Sequence, residues 1–355
     1  MARSPSRHQR PRLLLLAAFV SGQALIGCPC VRNSVNDSEE TRWYLFSRVA
    51  VQHICPELLS TGVPLAVPMA GPSSVGRFFP SQCNVHVDEG NKVIVVNLAG
   101  TGYASLPAVR RVGFYASMSV EYRPDFHLFS DSIYVWGRFS RNVSPPNIQL
   151  LGTENAAVGI AYQTPFGSVA DLIGNGIFQS SIGRGFTVVR QGDGDDFALD
   201  ILNPPAKPVR QFNPGDGAKL LASDRTEVPP AARQYLGPYT VPGNGQRLTF
   251  QYRLEGAPLS WYLVDRENGN DWVQNYESGR ALSGPRGPIL ASGQLAVGSG
   301  VLPIPVPRGT YMLVVENSAA APLLPVAVPV PLPLPLPGVA ATNATLSYTT
   351  DVADR

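Results

Sequence analysis

The sequence predicts two domains, an N-terminal α+β domain with helices packed on a mostly antiparallel sheet and a C-terminal all-β sandwich. Three observations lead there. Apolar residues recur at helical spacing and then alternate with period two over 38–202. A run holding Pro204, Pro205, Pro208, Pro214, Pro229 and Pro230 with little periodicity fills 203–234 and predicts a linker. From 235 to 355 only short alternating runs and turn residues remain. Glycine and proline, 34 of each, favour short strands and many turns over long helices.

In the first half, "NDSEETRWYLFSRVAVQHIC" offers Asp37 or Ser38 as a cap, with Glu39 and Glu40 in the first turn. Trp43, Phe46, Val49, Ala50 and Ile54 trace one greasy stripe, so a helix of about four turns is expected, ended by Pro56. "NVHVDEGNKVIVVNL" reads as a hairpin turning at Glu89-Gly90-Asn91. Val112, Phe114, Ala116, Met118, Val120 and Tyr122 alternate in a strand, a turn is expected at Pro124-Asp125, and Ile133, Val135 and Phe139 resume the pattern. Thr164 and Pro165 open a second helical stretch through Phe166, Val169, Ile173, Ile177 and Phe178. Phe186–Arg190 and Phe197–Ile201 then form a hairpin closed by "QGDGDD".

The first 27 residues predict an export signal. Arg3, Arg7, Arg10 and Arg12 stand without an acid before a short apolar run, too short for a span of about 20 residues. The stretch Leu25-Ile26-Gly27-Cys28 resembles the lipobox of bacterial lipoproteins. The resemblance implies that the Cys28 sulfur takes a diacylglycerol, that the chain is cut after Gly27, and that the new amine is acylated with a palmitate-class chain. More than one acyl chain is what stable anchoring requires. Residues 28–37 are then a polar tether to the membrane, and the protein belongs to the cell envelope. Pro29 stands where an aspartate would signal inner-membrane retention, which points to the outer membrane.

Without residues 1–27 the chain carries 24 bases against 26 acids, so its formal charge moves from +2 to −2. No basic block remains, and nucleic acid is excluded as a partner. No G-x-S-x-G, S-x-x-K or H-E-x-x-H occurs, so no catalytic residue is assigned and an enzyme is not expected. A hydrolase using scattered acids is the least favoured reading. His53, Cys55, Cys83 and His86 form a legitimate zinc set in residue type, but H-x-C is a poor spacing and export oxidises thiols. Cys55 and Cys83 are therefore expected to pair as a disulfide closing a loop of 29 residues, with a reduced, buried pair as the other possibility. Asp193, Asp195 and Asp196 lack the order of a calcium loop, and no metal or cofactor is assigned.

In the second half, "QRLTFQYRL", "PLSWYLVD", "VPRGTYMLVVEN" and "ATLSYTTDV" read as strands. An early strand, the "WYLVD" strand, a Gly-rich middle and then Pro307-Arg308-Gly309-Thr310-Tyr311 together resemble the GOLD-type or prepeptidase C-terminal-type sandwich. That resemblance, covering 236–355, implies a module that binds or bridges without catalysis. The apolar, proline-alternating insertion 322–341 is foreign to it. Proline excludes a central strand there and favours extended polyproline II. The expectation is a lipid-anchored envelope protein that acts as a non-enzymatic binding or structural module, with an envelope protein, glycan or lipid as its ligand. The alternative is lipid transfer through an apolar groove between the helix at Trp43–Ile54 and the strands from Val112 to Phe139.

Overall fold

The computed structural model describes residues 29–47, 51–60, 62–66, 73–106, 110–154, 173–174, 182–191, 194–215, 217–318 and 342–354. Its first half is built from four long strands: β2 (Ser74–Asp88), β3 (Val93–Leu106), β4 (Arg110–Leu128) and β5 (Ile133–Thr153). They are preceded by α1 (Pro29–Asp37), α2 (Glu39–Leu45), α3 (Val51–Ser60) and β1 (Val63–Ala66), and followed by β6 (Phe186–Gln191) and β7 (Gly194–Ala198).

The expected α+β domain is therefore overturned: the protein is mostly β. The helix signals around Ser38 are real but yield only short helices. Ser38 caps α2, its hydroxyl accepting from the Thr41 backbone N–H. Pro56 does not end the following helix but sits inside α3, where Ile54 and Leu58 still reach the core. The alternation, in contrast, runs on through the prolines. Pro124 and Asp125 lie within β4, opposite Gly137 and Trp136, and the chain turns instead at Phe129–Ser132. Pro145 and Pro146 lie within β5, and bulges between β4 and β5 absorb the mismatch by shifting register. The second expected helix, 164–178, falls outside the described residues except at Ile173 and Gly174. So does the insertion 322–341.

The second half adds β8 (Lys219–Val228), β9 (Arg233–Val241), β10 (Gln246–Glu255), β11 (Leu259–Asp265), α4 (Arg266–Glu277), β12 (Ala291–Leu295), β13 (Gly298–Pro305), β14 (Gly309–Glu316) and β15 (Ala344–Asp354). Both β8 and the start of β9 fall in the segment expected to be a linker. One sheet of 11 strands runs β13-β10-β15-β8-β2-β3-β4-β5-β6-β7, with β1 beside β2; a second runs β12-β11-β14-β9. The large sheet thus passes from one half of the chain into the other. Its crossing point is a single parallel pairing, Ser74 with Thr226.

Three apolar clusters hold these layers. Phe46, Ile54 and Leu58 from the helices meet Phe78, Ile94, Phe114, Met118 and Tyr122 on one face of the first half. Leu236, Leu263, Leu313 and Val315 of the small sheet meet Phe250, Leu346 and Tyr348 of the large one, making a β-sandwich. Tyr103 from β3 joins Tyr235, Trp272, Tyr276 and Met312 in the third cluster, which binds the halves together.

Candidate functional site

Polar chemistry in this protein concentrates at the seam between the two halves. Two buried ion pairs frame it. On β2, Arg77 is 3 % exposed; its Nη2 donates to Asp224 Oδ2 at 2.9 Å and to the Tyr348 hydroxyl at 3.0 Å, and its Nη1 to the Gly62 carbonyl at 2.9 Å. Ser74 donates to the same Asp224 oxygen at 3.2 Å. Burial pushes the Asp224 carboxyl above the usual carboxylate range, and the Arg77 charge opposes that push. On β9, Arg233 donates through Nε to Glu316 Oε2 at 2.5 Å and through Nη1 to the Ser283 carbonyl at 2.6 Å. Its guanidinium lies 4.9 Å from the Trp272 ring centroid.

Between these pairs lies an aromatic cluster. The Tyr103 hydroxyl donates to Gln234 Oε1 at 2.9 Å and accepts from the Tyr235 backbone N–H at 2.8 Å, so one phenol satisfies two groups on the opposite half. Tyr103 and Tyr276 meet edge to face at 5.0 Å between ring centroids. The Tyr276 hydroxyl accepts from the Arg233 backbone N–H at 3.1 Å, and Arg111 stacks over the Tyr276 ring at 4.3 Å. Burial raises the phenol pKa of Tyr103, Tyr235 and Tyr276.

Helix α4 carries the most unusual group. Asp265 caps it, accepting from the Asn268 N–H at 2.9 Å, and Trp272, Val273 and Tyr276 line its buried face. Its last residue, Glu277, is 1 % exposed, and neither carboxylate oxygen makes a hydrogen bond of normal geometry. Thr101 lies near enough to favour the ionised form slightly, but burial dominates and pushes the carboxyl up to about 8. The negative end of the helix dipole acts in the same direction.

The C-terminal end of α4 seats in a notch. Gly113 and Gly152 are register partners on β4 and β5. A Cβ on Gly113 would lie 1.8 Å from the Glu277 carbonyl oxygen, and one on Gly152 would lie 2.1 Å from that of Ser278. Arg111 Nη2 closes the contact by donating to the Arg280 carbonyl at 2.5 Å. This arrangement locks two layers together and holds one proton near neutral pH.

The residues singled out in the sequence fall elsewhere. Cys28 is outside the described residues. Cys55 on α3 and Cys83 on β2 form a disulfide with Cα atoms 5.5 Å apart, so neither is available as a thiolate for zinc. Among the described residues no group of three or more His, Cys, Asp or Glu side chains is placed to hold a metal. Asp196 pairs with Arg210. Trp136 and Trp272 are core residues, their indoles donating to the Leu202 and Ser283 carbonyls.

The seam was missed because its partners are far apart in sequence. Helix α4 left a local trace in the Asp265 cap, the Trp272-to-Tyr276 spacing and Gly279 just beyond its end, obscured by Gly269 and three asparagines. No protein-family model matches the chain, and no curated protein matches it.

Proposed function

We propose that this chain is a lipid-anchored protein of the cell envelope, held by Cys28 and acting as a rigid, non-enzymatic binding or structural module. The observation that carries the reading is the run Leu25-Ile26-Gly27-Cys28, placed directly behind a basic stretch and a short apolar one. The Cys55–Cys83 disulfide fits an oxidising compartment. The seam fits a module whose halves keep a fixed relation: the Arg77–Asp224 ion pair, an aromatic cluster and a seated helix end cross it. Pro29 favours the outer membrane in a cell that has two. Its partner beyond the bilayer is an envelope protein, glycan or lipid.

Growth with an alkyne-tagged palmitate analogue tests the anchor. The wild-type chain should take up the tag, partition into detergent and begin at Cys28 when mature; Cys28→Ser should lose the tag. A mature amino terminus at any other residue would refute the proposal.

A further inference from the structure

Helix α1 begins one residue after Cys28 and is docked on the fold. Val35 is 4 % exposed, buried against Phe126 and Leu128 with Ile133 and Val135 around them. The Asn36 carboxamide binds the β4 backbone as a neighbouring strand would: its Nδ2 donates to the Leu128 carbonyl at 3.0 Å, and its Oδ1 accepts from the Leu128 N–H at 2.9 Å. A further contact of 3.2 Å reaches His127 Nε2. Immediately beyond, Arg42 on α2 pairs with Asp125 at 3.1 Å. The end of the segment expected to be a tether is thus fastened along 126–128, at the hairpin end of β4, and α2 continues the contact to Asp125.

Length decides what this means. Nine helical residues span about 13 Å, whereas the same residues extended would reach about 30 Å. We infer that α1 is a short post rather than a tether, and that it holds the β4–β5 hairpin end, residues 129–132, as the part of the protein nearest the bilayer. This rests on the lipid anchor at Cys28. The fold is then oriented on the membrane. In the strand order β10 lies five places from β4, or about 24 Å across the sheet, so the sandwich is carried away from the anchor.

The test uses the full, lipidated chain in phosphatidylcholine–phosphatidylglycerol vesicles, with Cys30→Ser to remove the exposed thiol of α1. A dye is placed on Asp131→Cys, in the hairpin turn, or on Asn244→Cys, in the sandwich, and energy transfer to a headgroup-labelled lipid is read. Transfer from position 131 should be several-fold stronger than from 244. Combining Val35→Asp with Asn36→Ala should collapse the difference while the protein still floats with the vesicles. Flotation with equal transfer from the two positions would overturn the inference alone. Failure of the chain bearing Cys28 to float would overturn the anchor, and the inference with it.

Discussion

Gly113 and Gly152 face each other across β4 and β5, and the bare backbone they share is the seat of the α4 C-terminus. A methyl group at either position meets a carbonyl oxygen of the helix end, which is backbone and cannot swing aside. Gly113→Ala should therefore cost about 3 kcal/mol or more, at the top of the range for overpacking. Gly152→Ala should behave alike. Gly215, with nothing within 4 Å of a built Cβ, is the control, and its alanine variant should stay within about 0.5 kcal/mol of wild type. Urea unfolding of the three variants decides the matter.

Glu277 should make stability fall as pH rises. Its folded pKa of about 8 lies above the value of about 4.3 that a glutamate takes when unfolded. The folded chain therefore holds a proton that the unfolded chain releases. Stability from this group is complete below about pH 4 and is lost progressively until about pH 8. Glu277→Gln keeps the shape and removes the charge, so it should gain about 4–5 kcal/mol relative to wild type at pH 8 and little at pH 4. Parallel denaturation curves at the two pH values would reveal it; a difference independent of pH would refute it.

Arg77 and Asp224 should be strongly coupled. Removing the arginine leaves a carboxylate without its partner at the seam, so Arg77→Ala should cost about 3–5 kcal/mol. Replacing the pair together, Arg77→Met with Asp224→Leu, should recover much of that loss because no unpaired charge remains. A double-mutant cycle by chemical denaturation measures the coupling.

The Cys55–Cys83 bridge ties α3 to β2 across a separation of 28 residues. Chain entropy assigns such a loop roughly 3–4 kcal/mol. Cys55→Ala with Cys83→Ala should lower the unfolding free energy by about that amount, as should reduction of the wild-type protein. Equal stability with and without reductant would count against the bond.

The parts of this fold that could be read in the sequence are those with local cause. Leu248, Phe250 and Leu254 alternate because β10 buries one face, and the alternation alone reveals the strand. Ser38 marks a helix start because its hydroxyl is needed by an unpaired N–H. What misled was treating prolines as boundaries. Pro124 lies inside β4 in regular register with Gly137, and β8 hides among prolines that flank rather than enter it. The seam has no local signature. Tyr103 and Gln234 are 131 residues apart, and neither Glu277 nor Arg77 looks unusual until folding places it inside.

The position of β15 carries a consequence for biosynthesis. It is the last strand of the described chain, yet it lies within the large sheet, paired with β10 on one side and β8 on the other. β8 in turn makes the pairing with β2 that joins the halves. A polypeptide that emerges from the ribosome or a translocation channel amino end first must therefore wait. Until residues 344–354 emerge, β10 and β8 each present a bare edge, the kind of surface that recruits foreign strands. Such a sheet closes late and slowly, because its contacts join distant parts of the chain. A nascent form of this protein therefore has reason to be escorted by a chaperone until β15 arrives.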